Sequence, residues 1–365
     1  MVKRLTHSRK EVKVGRLFGS LVVMLVIAAL LFGITGCSSK PQNEPSEKSG
    51  STASSESTPS EKAQTEKTSP VRIGIVQIAD HPALDASREG FKKALADLGY
   101  KEGETVVYDE KSAGGDTATA LTICQKFVAD KVDLILAIAT PAAQAAATAT
   151  TEIPILFTAV TDPVVAKLVK SIEKPGTNLT GTSDLTPVAR QIELLKELKP
   201  DIKRVGIIYN AGEPNSVVQA ELARKACEKL GLQLVEATPT SINEVAQAAQ
   251  SLVGRVDAVY VPTCNTAVAG IDPVIAMCEK NKLPLVTGER GPVDKGALAT
   301  DGIDYFNLGY QTGKMADEVL KGADPSEMPV GYLEDLKLII NLKTAQKIGL
   351  EIPDSIKNRA SEIIQ

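Results

Sequence analysis

Short runs of valine and isoleucine alternate with helical patterns along most of this chain, and that alternation leaves few folds open. Parallel strands need crossovers of a dozen or more residues, so a repeated strand-turn-helix unit builds an open sheet with helices on both faces. Residues 134–147, LILAIATPAAQAAA, show the unit in its shortest form. An apolar strand meets a Thr-Pro turn, and the alanines beyond it favour helix. Thr140 is the expected N-cap and Pro141 suits the first helical position. Such a start offers free backbone N–H groups and a positive dipole end, which suit a carboxylate.

The same unit recurs twice over. Strands are expected at 71–78, 104–110, 133–138, 155–160 and 178–184, with helices at 83–98, 116–129 and after residue 140. A second series follows, with strands at 204–210, 232–237, 257–262 and 283–287 among helices at 188–198, 242–252 and 266–280 and one ending at Gly231. The fold class is therefore α/β, with two doubly wound parallel-sheet domains. An extra strand at 296–300 and a helix at 306–320 suggest that the chain returns to the first domain and then crosses once more. The expected domains are 71–185 plus 297–326 and 186–296 plus 327–365. Their three crossovers would form a hinge beside an interdomain cleft.

The first seventy residues obey different rules. Residues 1–16 carry six basic groups and run into the apolar stretch 17–32, the pattern of a secretory signal. Ile34-Thr35-Gly36-Cys37 resembles a bacterial lipobox, so residues 1–36 are expected to be removed and Cys37 to carry lipid on the outer face of the cell membrane. Residues 38–70 are rich in Ser, Thr, Pro, Glu and Lys, and read as a disordered tether.

Loss of six basic residues and one acid moves the net charge from −4 to −9, which argues against nucleic acid as a partner. Beyond Cys37 the cysteines are Cys124, Cys227, Cys264 and Cys278, with no CxxC pair, so neither a disulfide framework nor a metal site is expected. No GxGxxG follows the first strand, and neither a GK[ST] motif nor a GxSxG elbow occurs. No enzyme activity and no cofactor are expected.

Ligands of open α/β sheets sit at the carboxyl ends of the strands. In the first domain that selects Gln77, His81, Thr140, Thr158, Asp162 and Asp184; in the second it selects Tyr209, Glu213, Asn215, Ser216, Cys264, Asn265 and Glu289. Hydroxyls, amides and helix starts suit the carboxylate of a small zwitterion, and Asp or Glu suits its ammonium. Each also has a local use: Thr140, Asn215 and Ser216 as caps, Asp162 as a turn residue, the tyrosine as core.

Seven stretches in order, IGIVQIADHPALDASREGF (73–91), ATPAAQAA (139–146), FTAVTDPV (157–164), GTSD (181–184), YNAGEPNS (209–216), VYVPTCN (259–265) and GALATDGIDYFNLGYQTGKMADEVLKG (296–322), resemble ABC-transporter substrate-binding lipoproteins of the tryptophan/tyrosine type. The resemblance implies a type I periplasmic-binding-protein fold, a monomer, and capture of an aromatic amino acid for a membrane permease. A sensory module, or a receptor for another small molecule, is the alternative. It implies that Thr140 holds the ligand carboxylate, that Asn215 and Ser216 close from the other domain, and that Asp162, Asp184 and Glu289 lie nearest the ammonium. Family members usually carry an acid where this chain has Cys264, so one negative charge is missing there.

Overall fold

The computed structural model describes residues 69–333 and 336–365, which lie within one compact unit, Thr65–Gln365. The signal, Cys37 and all but the end of the tether lie outside the described residues. Among the described residues no helix is long and apolar enough to cross a membrane.

The first lobe begins with β1 (Val71–Gln77), α1 (Pro82–Asp97), β2 (Val106–Ser112), α2 (Thr117–Ala129), β3 (Leu134–Ile138), α3 (Thr140–Ala149), β4 (Ile155–Val160) and β5 (Leu179–Ser183). After residues 184–187 come α4 (Val188–Leu198), β6 (Arg204–Ile208), α5 (Pro214–Lys229), β7 (Gln233–Ala237), α6 (Val245–Gln250) and β8 (Ala258–Val261). Then follow α7 (Asn265–Ala269), α8 (Ile271–Lys280), β9 (Leu285–Thr287), α9 (Gly291–Lys295) and β10 (Ala299–Gly302). The chain closes with α10 (Tyr305–Leu320), β11 (Gly331–Tyr332), β12 (Lys337–Asn341), α11 (Leu342–Ile348), α12 (Asp354–Lys357) and β13 (Glu362–Ile364).

Two sheets result. The first has six strands in the order β11-β5-β4-β3-β1-β2, and the second seven in the order β13-β12-β10-β9-β8-β6-β7. Every pairing is parallel except β10 with β12. The inner strands are buried along their length, as β3, β4 and β8 show, because helices cover both faces. Each sheet carries its own apolar core, with Phe91, Phe127 and Phe157 in the first and Tyr260 in the second. Burying one such ring contributes about 1.5–3 kcal/mol.

The strand expected at 296–300 to open the return to the first domain does not belong there. It forms as β10, and its partners β9 and β12 lie in the second sheet. The helix after it makes the return: α10 packs along α1 and against β4 and β5. The chain thus recrosses at Ile303 and Asp304 and again between Tyr332 and Lys337, later than the expected domain boundaries at 296–297 and 326–327. The expected helix at 266–280 is two helices, because Pro273 cannot supply the N–H that a continuous helix needs there.

Contact between α1 and α10 sets the position of the first lobe's functional wall. The backbones meet so closely that a Cβ on Gly309 would lie 1.8 Å from the Ser87 carbonyl oxygen, and one on Gly90 2.0 Å from that of Phe306. Ser87 Oγ donates to the Tyr305 carbonyl at 3.1 Å, which fixes the start of α10 beside that of α1.

Candidate functional site: a closed chamber between the lobes

At the carboxyl ends of the strands the lobes enclose about 250 Å³ of empty space. His81, Leu84, Ala159, Asp184 and Tyr305 line it from the first lobe; Asn215, Thr263, Cys264, Asn265, Val268 and Glu289 line it from the second. No lysine or arginine is among them. A larger interlobe cavity of about 1040 Å³ lies beside it, between the starts of α2 and α3 on one lobe and the turn 210–214 on the other, and Asn265 lines both.

The two walls are built in different ways. On the first lobe, Ala139 and Ala159 adopt left-handed backbone, at φ 80° and 57°, where β3 and β4 end. A non-glycine residue held there stores strain, and such strain concentrates at functional turns. Ala139, and not Thr140, occupies the capping position of α3, because its N–H still pairs with the Thr158 carbonyl and the turn comes one residue early. Thr140 is the first helical residue, and its buried hydroxyl has no partner. Asp184 accepts from Thr161 Oγ at 2.9 Å and from Tyr305 Oη at 2.7 Å. Burial pushes its carboxyl upward, against those two bonds.

On the second lobe Glu213 organises the wall. Its carboxylate accepts from the N–H groups of Asn265 and Thr266 at 3.0 and 2.9 Å, from Asn265 Nδ2 at 2.8 Å and from Thr266 Oγ at 2.6 Å. It therefore ties the start of α7 to the start of α5, and its oxygens are spent on protein donors. Cys264 caps α7: its sulfur accepts from Ala267 N and Asn210 N at 3.4 and 3.3 Å. Burial first, and then the charge of Glu213, pushes its thiol up to about 12, so it is neutral here. Asn215 donates to the Thr263 carbonyl at 3.1 Å, while its Oδ1 is buried without a partner.

Where the lobes meet, His81 Nδ1 lies 3.9 Å from Glu289 Oε1. Neither His81 nitrogen has a hydrogen-bond partner, and neither has Glu289 Oε1. Burial holds the imidazole down at about 4, although Asn265, Asp85 and Glu213 all favour its protonation. Burial, and then Asp184, pushes the Glu289 carboxyl up to about 8. Unpaired buried polar atoms are costly. Here they converge on one chamber from both lobes.

Six of the residues selected from the sequence line this chamber: His81, Asp184, Asn215, Cys264, Asn265 and Glu289. Glu213 and Ser216 stand behind it, with Ser216 Oγ donating to Glu213 at 3.3 Å. Four others are placed elsewhere. Gln77 fastens the turn after β1 by donating to the Ala79 carbonyl and to Asp85. Thr158 accepts from Thr182, whose hydroxyl also meets Thr312, so it joins β4 and β5 to α10. Tyr209 lies in the core with its hydroxyl donating to Glu236 at 2.7 Å. Asp162 accepts from Val164 N and Val165 N at 3.1 and 2.9 Å, the bonds of a turn residue. Asp162→Ala should cost about 1 kcal/mol of stability and change ligand affinity less than threefold; a tenfold loss in titration calorimetry would return Asp162 to the site.

The other five lining residues, Leu84, Ala159, Thr263, Val268 and Tyr305, are not among the candidates chosen from the sequence. Leu84 and Val268 sit in the first turns of α1 and α7, where side chains lean toward the helix start. Tyr305 follows the N-cap Asp304, a signal that places the residue but not the lobe crossing that aims it.

A family model described as ABC transporter substrate binding protein matches residues 72–364. The chain belongs to that family. It is 43% identical over 332 residues to a tyrosine-binding protein of Clostridioides difficile, covering 90% of this chain and 92% of that one. It also matches the solved ABC domain of Streptococcus pneumonia in complex with L-Trp, with a TM-score of 0.78, 39% identity, and cover of 81% and 100% of the two chains. A ligand-free, open structure of a substrate-binding protein with adhesive properties from Clostridium difficile gives a TM-score of 0.62 at 46% identity, covering 81% and 99%. The more similar sequence is thus the poorer superposition. The lobes here stand closer to their arrangement in the ligand-bound structure than in the open one.

Proposed function

We propose that this substrate-binding protein captures an aromatic amino acid, tyrosine or tryptophan, on the outer side of the cell membrane and presents it to an ABC permease. A lipid on Cys37 and the tether of residues 38–70 hold it there, on the strength of the sequence at 34–37. The observation that carries the ligand class is the set of unpartnered acceptors in a chamber without lysine or arginine: Glu289 Oε1 and Asn215 Oδ1, with Asp184 beside them. An ammonium supplies the donors they lack. Among the residues that line the chamber, the neutral imidazole of His81 is left as a donor for the carboxylate. The relatives' ligands, tyrosine in one case and L-Trp in the other, agree with that choice.

The chamber as it stands has no room for an aromatic ring, so such a ligand requires the lobes to part and reclose around it. Tyrosine or tryptophan at 100 times its Kd should stabilise the protein by about 2.7 kcal/mol, read as a rise in Tm of a few degrees. The absence of any shift with all twenty amino acids at millimolar concentration would sink the proposal. The chain contains no Trp, so tryptophan that survives purification announces itself by indole fluorescence.

A further inference from the structure

Among the described residues, Glu289 is the chamber acid whose charge no donor or cation offsets. Asp184 receives two hydroxyl donors, and Glu213 is held by α7. Glu289 Oε1 receives none, and its side chain is 1% exposed. Each element packed around it brings a group that fails to balance a negative charge. The turn before α1 brings His81, unpartnered and 3.9 Å away; the end of β5 brings Asp184, a like charge; and α10 brings Tyr305, whose hydroxyl is given to Asp184. From α5 and α7 come Asn215 Oδ1, an acceptor, and the neutral thiol of Cys264. The adjacent Arg290 points its guanidinium at Asp294 and at Glu362, 2.6–3.0 Å away on the surface, and Lys295 lies on the side of His81, where it opposes protonation.

We propose that Glu289 stands in the empty closed chamber as a neutral acid and exchanges its proton for the ligand's ammonium, so that each amino acid captured releases one proton. The inference rests on the amino-acid reading above. The exchange balances: the O–H of the Glu289 carboxyl breaks, its proton leaves to solvent before the lobes seal, and the carboxylate formed accepts an N–H from the incoming ammonium. No other covalent bond changes. The net charge of the chamber falls by one across the step, the charge carried off by the released proton, while at Glu289 itself the ammonium takes the place of the proton. Glu289 thereby becomes a specificity-determining residue. A ligand without an ammonium leaves the acid protonated and brings no cation to the acceptors Asn215 Oδ1 and Asp184 that line the same chamber.

The experiment is titration calorimetry of wild-type protein with L-tyrosine and L-tryptophan at pH 7, repeated in phosphate and in Tris, whose heats of protonation differ. The apparent binding enthalpy should differ between the buffers by close to one proton per ligand, and the release should fall as the pH is raised through 8. Glu289→Gln, which mimics the neutral acid, should bind without proton release and lose at least tenfold of the preference for tyrosine over 3-(4-hydroxyphenyl)propionate. Binding with fewer than about 0.2 protons released at pH 7 would overturn the exchange while leaving the amino-acid reading intact. The same release from Glu289→Gln would do so too. Failure of both amino acids to bind, with the deaminated analogue binding instead, would overturn the reading from which the exchange follows.

Discussion

Glu213→Ala is expected to lower folding stability by about 4 kcal/mol, the largest loss for any single residue around the chamber. The carboxylate accepts from two backbone N–H groups, a hydroxyl and an amide of residues 265 and 266, all buried. A helix of five residues has little stability of its own, so α7 depends on what meets its first turn. Removing the carboxylate orphans four donors at about 1–3 kcal/mol each, and water entering the vacated space recovers part of that. Glu213→Gln keeps one acceptor oxygen and sets an amide against the remaining donors, so it should lose about half as much. Urea unfolding measures both, with an unchanged slope showing that the same structure unfolds. If Glu213→Ala costs under about 1 kcal/mol while abolishing ligand binding, the carboxylate belongs to the ligand and not to α7.

That residue also shows what a sequence can and cannot say about such a site. The position of Glu213 at the end of a strand, before Pro214, marked it as a candidate, and the structure brings it within reach of the chamber. Nothing in its neighbourhood along the chain revealed that residues 264–266, some fifty positions away, would bring it the donors it accepts from. The strand-turn-helix rhythm made the α/β class and most elements legible, because burial on both faces demands continuous apolar strands. It did not assign β10 to a sheet, since a strand's pattern records its burial and not its partners. Asp162 and Asp184 look alike from the sequence, each an acid after a strand. One accepts from its own turn and the other from a helix that returns 121 residues later.

Raising the pH from 6.5 to 8 should destabilise the ligand-free protein, and Glu289→Gln should remove that loss. Glu289 titrates near 4.5 when unfolded and at about 8 in the closed chamber, so between those values the folded state holds a proton that the unfolded state lacks. Stability contributed by the neutral acid is complete below about 4.5 and declines as the pH rises toward 8. His81 has the opposite sign. Its pKa falls from 6.5 to about 4, so the unfolded state binds the extra proton in that interval, and stability rises with pH until 6.5. The two slopes cancel between about 4.5 and 6.5, and only the Glu289 slope remains above. At about 1.36 kcal/mol per pH unit, the loss from pH 6.5 to 8 is at most about 2 kcal/mol. Hydration of the charged acid through parting of the lobes sets a lower ceiling, so scattering should show an expansion of the empty protein over the same range. In Glu289→Gln the upper slope should vanish, and the His81 rise should emerge, uncancelled, at acid pH. Comparing Tm of the two proteins at pH 5, 6.5 and 8 removes every other titrating group from the difference. An equal decline in both above pH 6.5 would place the proton elsewhere than on Glu289. Bound tyrosine should flatten the wild-type decline as well, because the ammonium then replaces the proton that solvent removes.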